Sequence, residues 1–351
     1  MKVNYYSLRK LYDKEINKNA KNKRRLYNFQ KKKELYILSM YDELVNNTYN
    51  GGKYNIFLIY KPKIRVIMSQ SVYDKTINHY ITRTVLEPKL SKYLAYSNVA
   101  TRNNMGTSKG IELLKKYMER NKKYDTFYFL KFDIKKYFYN IDHEVLKSLI
   151  INDLEEDEYE IISRIIDSTN KSYVNKVITG LDSNLPKYEY GKGLPIGNLS
   201  SQFLAIFYLS RLHHYIIHDL HIKEIVIYMD DYILIHHDKE YLKYVLSIIE
   251  EKLNREYKLE LNKNKTYIKP SKEGITFLGY HFRVVNKKTI ITLTSDAKKR
   301  IRKGIKTTKY LIDNNYIEFK SAFSSINTYK YSYKYTNSKY IENTLEKYWY
   351  N

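Results

Sequence analysis

The sequence predicts an α+β fold in which a β-sheet is covered by helices on one face. Short β-prone runs alternate along the chain with segments whose apolar residues recur at helical spacing. Acidic residues stand at the ends of two of the predicted strands. Hydrophobic residues make up 43% of the 351 residues, which is enough to form a substantial core. No segment of about 20–50 residues repeats, which excludes a solenoid.

The first fifty residues are predicted to form basic helices. Their apolar side chains recur at helical spacing among many lysines. These side chains are Leu8, Leu11, Tyr12, Leu35, Leu38 and Tyr41. Asn50-Gly51-Gly52 breaks the pattern. Two short strands are predicted next, over 54–59 and 64–68, around a cationic turn that contains Lys61 and Lys63.

The centre of the chain is predicted to alternate between helices and strands. Helices are predicted over 72–95, 108–120, 144–150, 200–218 and 241–257. Strands are predicted over 126–134, 225–236 and 275–285, the second of these being two strands joined at Asp230-Asp231. Residues 168–193 are predicted to form loop and hairpin, and the chain after Asn286 is predicted to be helical, very basic and rich in tyrosine.

These patterns divide the chain into three predicted parts. Residues 1–50 form a basic helical N-terminal extension, 51–285 a central domain of strands and helices, and 286–351 a basic helical C-terminal domain.

The charge balance indicates a polyanionic partner. Lysine and arginine number 62 against 38 aspartates and glutamates, giving a net charge of +24. Such an excess repels itself unless a polyanion neutralises it, so nucleic acid is the expected partner. A genome rich in A and T, which encodes many Lys, Asn and Tyr residues, is the alternative explanation, and the 40 tyrosines fit it.

Composition also excludes several classes of protein. The chain has no cysteine, which excludes disulfide scaffolds, thiol catalysis and cysteine-ligated zinc. No run approaches the roughly 18 apolar residues that a membrane span requires. The N-terminal residues contain no apolar segment typical of a secretory signal. We therefore expect a cytoplasmic protein that does not associate with a membrane.

Three carboxylates carry the predicted chemistry. Asp230 and Asp231 are bracketed by apolar strands, where two adjacent negative charges are costly unless cations compensate them. Taken alone, the pair could be a structural turn. Asp133 ends a separate apolar strand, and if the strands are neighbours the three carboxylates meet at one edge of the sheet. Such oxygen ligands suit Mg²⁺, and two ions there would support nucleotidyl transfer to a 3′-hydroxyl.

Several motifs resemble the palm of reverse transcriptases, in the order typical of that family. They are FDIKKYFYNIDHE, GLPIGNLSSQF, YMDD, LELNKNKTYI and FLGY. The segment KPKIRVI resembles a motif of the fingers, so the resemblance covers about residues 50–285. It implies a right-hand polymerase whose fingers and palm contain an antiparallel sheet covered by helices, followed by a C-terminal helical thumb.

The resemblance assigns catalytic roles to individual residues. Asp133, Asp230 and Asp231 would be catalytic and would hold two Mg²⁺ ions, for which Mn²⁺ could substitute. Asp231 would be the least direct ligand, because the second aspartate of this motif often stands back from the ions. The backbone carbonyl of Ile134 would complete the metal ligands. Lys265 would be the general acid for pyrophosphate, with Lys263 as the nearby competitor.

The resemblance also implies which residues bind the nucleotide and the primer. Lys63 and Arg65 would hold the triphosphate, with Lys61 a weaker candidate, and Phe138 would be the steric gate that favours dNTPs. Residues of the GLPIGNLSSQF segment would contact the nucleotide: Ile196, Gly197 and Gln202. The primer grip would consist of Phe277, Leu278, Gly279 and Tyr280.

One segment departs from most reverse transcriptases. Ile196-Gly197 and Ser201-Gln202 stand where most members have Gln-Gly and Ser-Pro. This pattern resembles the enzymes of diversity-generating retroelements, which copy a template RNA with errors at adenines. An apolar Ile cannot reproduce the hydrogen bond of Gln beside the nascent pair, which should relax geometric checking. Bacterial antiphage defence reverse transcriptases are the alternative.

The resulting hypothesis is an RNA-directed DNA polymerase that makes cDNA from a dedicated template or structured non-coding RNA, with frequent errors. Its partners would be that RNA, the cDNA/RNA hybrid, dNTPs and a basic accessory protein. The alternative from another class is a non-catalytic RNA-binding protein with a vestigial palm. The intact set of three carboxylates favours the enzyme, because selection for binding alone would neutralise these repelling charges.

Overall fold

A computed structural model describes residues 1–19, 22–60, 63–337 and 339–350. The chain divides into two compact units, each made of three segments. The first unit contains Met1–Thr101, Asp133–His221 and Ser247–Asn262. The second contains Arg102–Phe132, Ile222–Leu246 and Lys263–Asn351.

The helices and strands follow in chain order. The α-helices are α1 (Tyr5–Leu11), α2 (Lys23–Gln30), α3 (Lys33–Val45), α4 (Val72–Ile81), α5 (Glu87–Leu90), α6 (Thr107–Asn121), α7 (Tyr137–Asn140), α8 (His143–Ile150), α9 (Glu156–Ile166), α10 (Ser172–Leu181), α11 (Leu199–Tyr208), α12 (Ser210–His218), α13 (Lys239–Tyr257), α14 (Ser295–Asp313), α15 (Phe319–Tyr333) and α16 (Tyr340–Leu345). The strands are β1 (Tyr54–Ile59), β2 (Arg65–Gln70), β3 (Tyr128–Asp133), β4 (Ile225–Tyr228), β5 (Asp231–His236), β6 (Tyr267–Pro270), β7 (Ile275–Phe277), β8 (Tyr280–Val285) and β9 (Lys288–Leu293). Short π-helical turns cover Tyr12–Asn17, Thr82–Leu86 and Glu346–Tyr350, and short 3₁₀ turns cover Ser91–Tyr93, Ile151–Asp153, Asp167–Asn170 and Lys263–Lys265.

The first unit combines helices with one antiparallel hairpin. β1 and β2 pair in the register Ile56↔Met68, which confirms the predicted pair of strands. Their alternate residues point to one face, because side chains alternate along a strand. On that face they form a buried cluster with residues from α10 and the chain after it. The cluster contains Tyr54, Ile56, Val66, Met68, Val174, Ile178, Leu185 and Tyr188.

The second unit contains two sheets. One has the strand order β4-β5-β3-β6, and β4–β5 and β3–β6 are antiparallel pairs. The other has the order β7-β8-β9 and is antiparallel throughout. Within the four-stranded sheet, Phe132 stacks on Tyr232 with ring centroids 4.5 Å apart. α6 packs against β4, and α14, α15 and α16 pack against one another. The predicted α+β class is confirmed.

One predicted loop is a helix. Residues 172–181 form α10, where loop and hairpin were expected. Val174 and Ile178 lie one helical turn apart and are fully buried in the cluster with β1 and β2. The apolar face of this helix therefore gains its stability from tertiary packing, which local sequence does not reveal.

Two other expectations need correction. The helix predicted over 200–218 is two helices, interrupted at Leu209, whose φ and ψ are −100° and 14°. The chain after Asn286 first forms a strand, β9, before it becomes helical. Asn286 and Lys287 have φ values of 49° and 57° and form the two-residue turn that pairs β9 with β8. Among the described helices, none is both long and apolar enough to cross a membrane.

Candidate active site

The acidic turn lies between β4 and β5. Tyr228 and Asp231 are paired across the hairpin, so the turn itself consists of Met229 and Asp230. Asp231 is thus the first residue of β5, whereas the sequence predicted that both aspartates form the junction. Met229 has a φ of 59°, a left-handed conformation that side chains other than glycine rarely adopt. The chain therefore makes a tight, strained turn where it presents Asp230.

Asp133 lies at the end of the neighbouring strand. It is the last residue of β3, and its exposed fraction is 8%. β3 lies next to β5 in the four-stranded sheet. The strand that ends at Asp133 and the strand that begins at Asp231 are therefore neighbours, as the predicted constellation requires.

Asn262 holds Asp133 in place. Its side-chain amide donates a hydrogen bond to Oδ1 of Asp133 over 3.0 Å. Its backbone N–H donates to the Asp133 carbonyl over 2.8 Å. The motifs did not assign a role to Asn262, although it lies in the LELNKNKTYI segment that they include.

The chain after Asp133 is held by an isolated bridge. Ile134 and Leu261 face each other in this antiparallel bridge. Its hydrogen bonds run from the Lys135 N–H to the Glu260 carbonyl, over 2.9 Å, and from the Asn262 N–H to the Asp133 carbonyl. The bridge therefore does not use the carbonyl of Ile134, which the sequence predicts as a metal ligand.

A lysine contacts Asp231, the residue that follows the turn. Nζ of Lys131 lies 2.9 Å from Oδ1 of Asp231 and donates a hydrogen bond to Oδ2 over 3.0 Å. It also donates to the carbonyl of Thr276 over 2.8 Å. Burial raises the pKa of the Tyr267 phenol, and the negative charge of Asp231 adds to that rise. The motifs did not assign a role to Lys131, two residues before Asp133.

The donor chemistry fits Mg²⁺. Carboxylate and carbonyl oxygens are the ligands that Mg²⁺ prefers, and it usually keeps waters and substrate phosphates as its other ligands. In the described part of the chain, no group of three His, Cys, Asp or Glu side chains is arranged to hold a metal ion by itself. The predicted ligands Asp133, Ile134, Asp230 and Asp231 are of this chemical type, because they offer carboxylate and carbonyl oxygens.

The residues predicted to bind the nucleotide lie mainly around one loop. Lys63 and Arg65 are exposed at the start of β2, whereas Lys61 lies outside the described residues. The Met68 N–H of β2 donates to the carbonyl of Ile196 over 2.9 Å. Gly197 has a φ of 127°, and a Cβ there would lie 3.3 Å from Cγ2 of Ile67 and from the Met68 carbonyl. The loop is thus fitted against β2, and glycine is needed for this approach.

The same loop contacts the predicted steric gate. Phe138 is half-buried in α7, and its carbonyl accepts a hydrogen bond from the Leu194 N–H over 2.7 Å. The Gly193 N–H donates to the carbonyl of Ile141, also over 2.7 Å. Gln202 is half-buried near the start of α11, which follows the loop. The structure therefore brings the backbone of Phe138 together with the loop that carries Ile196 and Gly197.

A buried histidine anchors this loop. His143 is fully buried, and its Nε2 lies 2.8 Å from the carbonyl of Gly193. Its Nδ1 lies 3.0 Å from Oδ1 of Asp167. Burial raises the pKa of Asp167, but hydrogen bonds from His143 and Lys147 outweigh that effect and lower it below its ordinary value. Thr169 also donates to the Gly193 carbonyl, over 3.0 Å. His143 is part of the matched motif, but the motifs did not assign a role to it.

The predicted primer grip is the turn of a β-hairpin. Phe277 and Tyr280 are paired, and the Leu278-Gly279 turn has φ values of 49° and 87°. The Thr294 N–H donates to the carbonyl of Gly279 over 3.0 Å. A cavity of about 380 Å³ opens beside this turn. Besides Leu278, Gly279 and Tyr280, it is lined by Arg300, Tyr329, Tyr331 and Tyr335.

Lys265 lies in the 3₁₀ turn Lys263–Lys265, shortly before β6. Both lysines have exposed side chains.

A family of known proteins matches most of the chain. The family model described as reverse transcriptase (RNA-dependent DNA polymerase) matches residues 50–282. That range includes the acidic turn, the loop after Gly193 and the predicted primer grip. A search of curated proteins gave no match.

Solved structures of telomerase have a similar fold. Apo telomerase from Candida tropicalis, truncated from its C-terminal domain, matches with a TM-score of 0.51 and 19% identity, over 70% of this chain and 55% of that chain. Telomerase from Candida tropicalis in complex with the TWJ fragment of telomeric RNA also matches, with a TM-score of 0.51 and 16% identity, over 84% of this chain and 58% of that chain. The chain thus spans somewhat more than half the length of these proteins. At such identities the similarity shows the fold alone.

Proposed function

The chain belongs to the reverse transcriptase family of RNA-dependent DNA polymerases, and we propose that it synthesises cDNA on a dedicated template or non-coding RNA. One observation carries the proposal: the strand that ends at Asp133 is the neighbour of the strand that begins at Asp231. Carboxylates that meet at one edge of a sheet would repel one another and would repel nucleic acid. That arrangement is unfavourable in a protein that only binds RNA, and it suits one that binds cations for catalysis.

In this proposal the acidic residues hold the catalytic metals. Asp133 and Asp230 supply carboxylate oxygens, Ile134 supplies its backbone carbonyl, and Asp231 is the least direct of the predicted ligands. Bound Mg²⁺, or Mn²⁺ in its place, would favour deprotonation of the primer 3′-hydroxyl and neutralise charge on the phosphates. Asn262 fixes the orientation of the Asp133 carboxylate through its amide hydrogen bond. Lys265 would donate a proton to the departing pyrophosphate.

The nucleotide would bind near the loop that follows Gly193. The exposed cations Lys63 and Arg65 can pair with triphosphate oxygens, and the guanidinium can do so through two parallel hydrogen bonds. The half-buried ring of Phe138 would exclude a ribose 2′-hydroxyl. The hydrogen bonds of the loop to Phe138 and Met68 give this part of the site a fixed backbone.

The primer end would lie along the hairpin turn Leu278-Gly279. The adjoining cavity is lined by Arg300 and by several tyrosines. Cations contact phosphates, while aromatic rings pack on sugars and bases. The RNA and the cDNA/RNA hybrid are the proposed occupants, and the net charge of +24 supports them. One similar telomerase structure contains a fragment of telomeric RNA, which is in keeping with an RNA partner.

We propose an error-prone role in a bacterial diversity-generating retroelement, with a basic accessory protein as a further partner in the cytoplasm. The segment with Ile196, Gly197 and Gln202 supports this role, because an apolar side chain at 196 cannot hydrogen-bond to the nascent pair. A reverse transcriptase of bacterial antiphage defence is the second candidate, supported by the family match and by the other motifs.

Primer extension on an RNA template tests the activity. The Asp230→Asn variant should lose dNTP incorporation by at least roughly a thousandfold, because it removes a metal-binding charge. Its folding and its RNA affinity should not change. Asp313→Asn, which alters an exposed carboxyl group on α14, is the matched control and should be fully active. An inactive unaltered protein that binds RNA tightly would favour the vestigial palm instead.

Sequencing of the DNA made from the native locus tests the biological role. The control is a strain carrying Asp230→Asn together with Asp231→Asn. Substitutions concentrated at template adenines would support the retroelement. Faithful or untemplated DNA that appears only under phage challenge would favour defence. DNA identical to that of the control strain would contradict both roles.

A further inference from the structure

Asp231 is paired with a lysine that comes from the neighbouring strand. Lys131 lies on β3, and its Nζ is within 3.0 Å of both carboxylate oxygens of Asp231. The side chain of Lys131 is 13% exposed and that of Asp231 is 27% exposed. Water screens such a pair less than it screens an ion pair on the open surface. Lys131 thus supplies a cation to the acidic turn from the protein itself.

The same ammonium group reaches the strand that leads into the predicted primer grip. Nζ donates a hydrogen bond to the carbonyl of Thr276 over 2.8 Å. Thr276 directly precedes Phe277, and Nζ also lies 6.0 Å from the centroid of that ring. One side chain therefore contacts both the strand that begins at Asp231 and the strand that ends at the primer-grip turn.

Lys131 lies in β3, close to Asp133. Lys131 and Asp133 are two residues apart, so their side chains leave the same face of the strand. Asp133 ends β3, while Lys131 lies further from its end, where β3 is flanked by β5 and β6.

We propose that Lys131 is a positioning residue that holds Asp231 against the primer-grip strand and so gives Asp230 and Asp231 different tasks. Asp230 binds metal, whereas Asp231 mainly aligns the acidic turn with the hairpin that receives the primer end. This inference rests on the proposed function. It assigns a role to a lysine outside the catalytic set, and it specifies how the metal site and the primer site are joined.

Removal of the ammonium group should have two separate effects. In Lys131→Met, Asp231 loses the positive charge of Lys131, and the more negative turn should bind Mn²⁺ more tightly by about threefold to tenfold. The primer-grip strand also loses its hydrogen bond to Lys131, so the affinity for a primer–template duplex in EDTA should fall severalfold. Neither readout depends on catalysis. Mn²⁺ binding is measured by electron paramagnetic resonance of the free ion, and duplex binding by fluorescence anisotropy.

Three further variants control the experiment. Lys135→Met also removes one lysine charge, but from an exposed pair with Glu260, and should change neither affinity. Lys131→Met combined with Asp231→Asn should return Mn²⁺ affinity to the unaltered level, because both charges of the pair are gone. If Lys131→Met alone does not fold, this double variant, in which the pair is neutral, is compared with the unaltered protein instead. Lys131→Arg should retain most of the duplex affinity.

Two results would overturn the inference. One is a Mn²⁺ affinity that is the same in Lys131→Met and the unaltered protein, including no measurable binding in either. The other is an equal shift in Lys135→Met, which would indicate a general charge effect. Failure of the proposed function is a different result: the protein would not extend primers, although the Mn²⁺ shift could still be present.

Discussion

At the scale of single residues, Asn262 controls the orientation of Asp133. The amide hydrogen bond to Oδ1 fixes the rotation of the carboxylate, and the backbone hydrogen bond fixes the end of β3. Asn262→Ala should reduce dNTP incorporation roughly ten- to hundredfold, because small displacements of a catalytic group cost that much. It should lower the free energy of unfolding by about 1 kcal/mol. Single-turnover extension and urea denaturation measure the two effects.

Asn314→Ala is the matched control for that prediction, since Asn314 is exposed at the end of α14. It should leave extension unchanged. Full activity of Asn262→Ala would mean that the backbone alone is sufficient to place Asp133.

Phe138 is the residue expected to select deoxynucleotides. Its ring is half-buried in α7, and its backbone is bound to the loop after Gly193. Phe138→Ala should lower the ratio of kcat/KM for a dNTP to that for the matching rNTP by roughly a hundredfold, because space for the 2′-hydroxyl appears. Tyr190→Ala removes a ring that is 88% exposed and should leave the ratio unchanged. Equal ratios in the unaltered protein and in Phe138→Ala would rule out the gate.

The residues that the motifs predict lie at the ends of strands, whereas the residues that they miss act through contacts between distant segments. Asp133 and Asp231 were identifiable because each ends or begins an apolar strand, and the structure makes those strands neighbours. Lys131 and Asn262 act through contacts that span 100 and 129 residues of sequence. A lysine in a strand and an asparagine in a loop are ordinary on their own, so only the pairing of distant segments reveals their roles.

At the scale of elements, the start of α8 makes folding sensitive to acid. Asp142 caps this helix by accepting from the Val145 N–H over 3.0 Å, and Lys258 donates to its other oxygen over 2.8 Å. Burial raises the pKa of Asp142, but the hydrogen bonds from Lys258 and Val145 outweigh it and lower the pKa below its ordinary value. The stabilisation is therefore present above about pH 4 and is lost as the pH falls through the lowered value.

Asp142→Asn isolates this contribution. The amide keeps an oxygen for the cap and loses the charge that pairs with Lys258. Melting temperatures measured between pH 7 and pH 3 should fall less steeply in the variant than in the unaltered protein, and the variant should be less stable at pH 7. Asp125→Asn, a change at an exposed residue, should leave the slope unaltered. Parallel curves for the two proteins would exclude Asp142 as a source of acid sensitivity.

Helices and strands were predictable from the sequence where the local spacing of apolar residues determines them. The hairpin of β1 and β2, the strand β3 and helices such as α6 and α13 lie close to their predicted positions. α10 was missed because its two buried residues gain a core only against β1 and β2. The interruption at Leu209 has no glycine or proline to indicate it, and the apolar pattern continues on both sides. β9 depends on pairing with β8, which the basic composition of that segment conceals.

At the scale of the whole molecule, the excess of positive charge is concentrated in part on α14. This 19-residue helix buries Ala297, Ile301 and Ile305 on one face. Its cations are Lys298, Lys299, Arg300, Arg302, Lys303, Lys306 and Lys309. Arg300 also lines the cavity beside the Leu278-Gly279 turn. The helix therefore presents charge next to the proposed primer site, which composition alone could not reveal.

Binding of a primer–template duplex should therefore depend steeply on salt, and α14 should account for part of that dependence. Lys299, Arg302 and Lys303 are exposed within one turn of each other. Changing all three to Gln should reduce the slope of log affinity against log salt concentration by about 2 to 3, because each phosphate contact releases roughly one counterion. Lys223, Lys239 and Lys243, also exposed, provide the matched triple change to Gln. Anisotropy titrations from low to high salt measure both slopes. An equal reduction in the two triple variants would show that net charge, and not the surface of α14, governs binding.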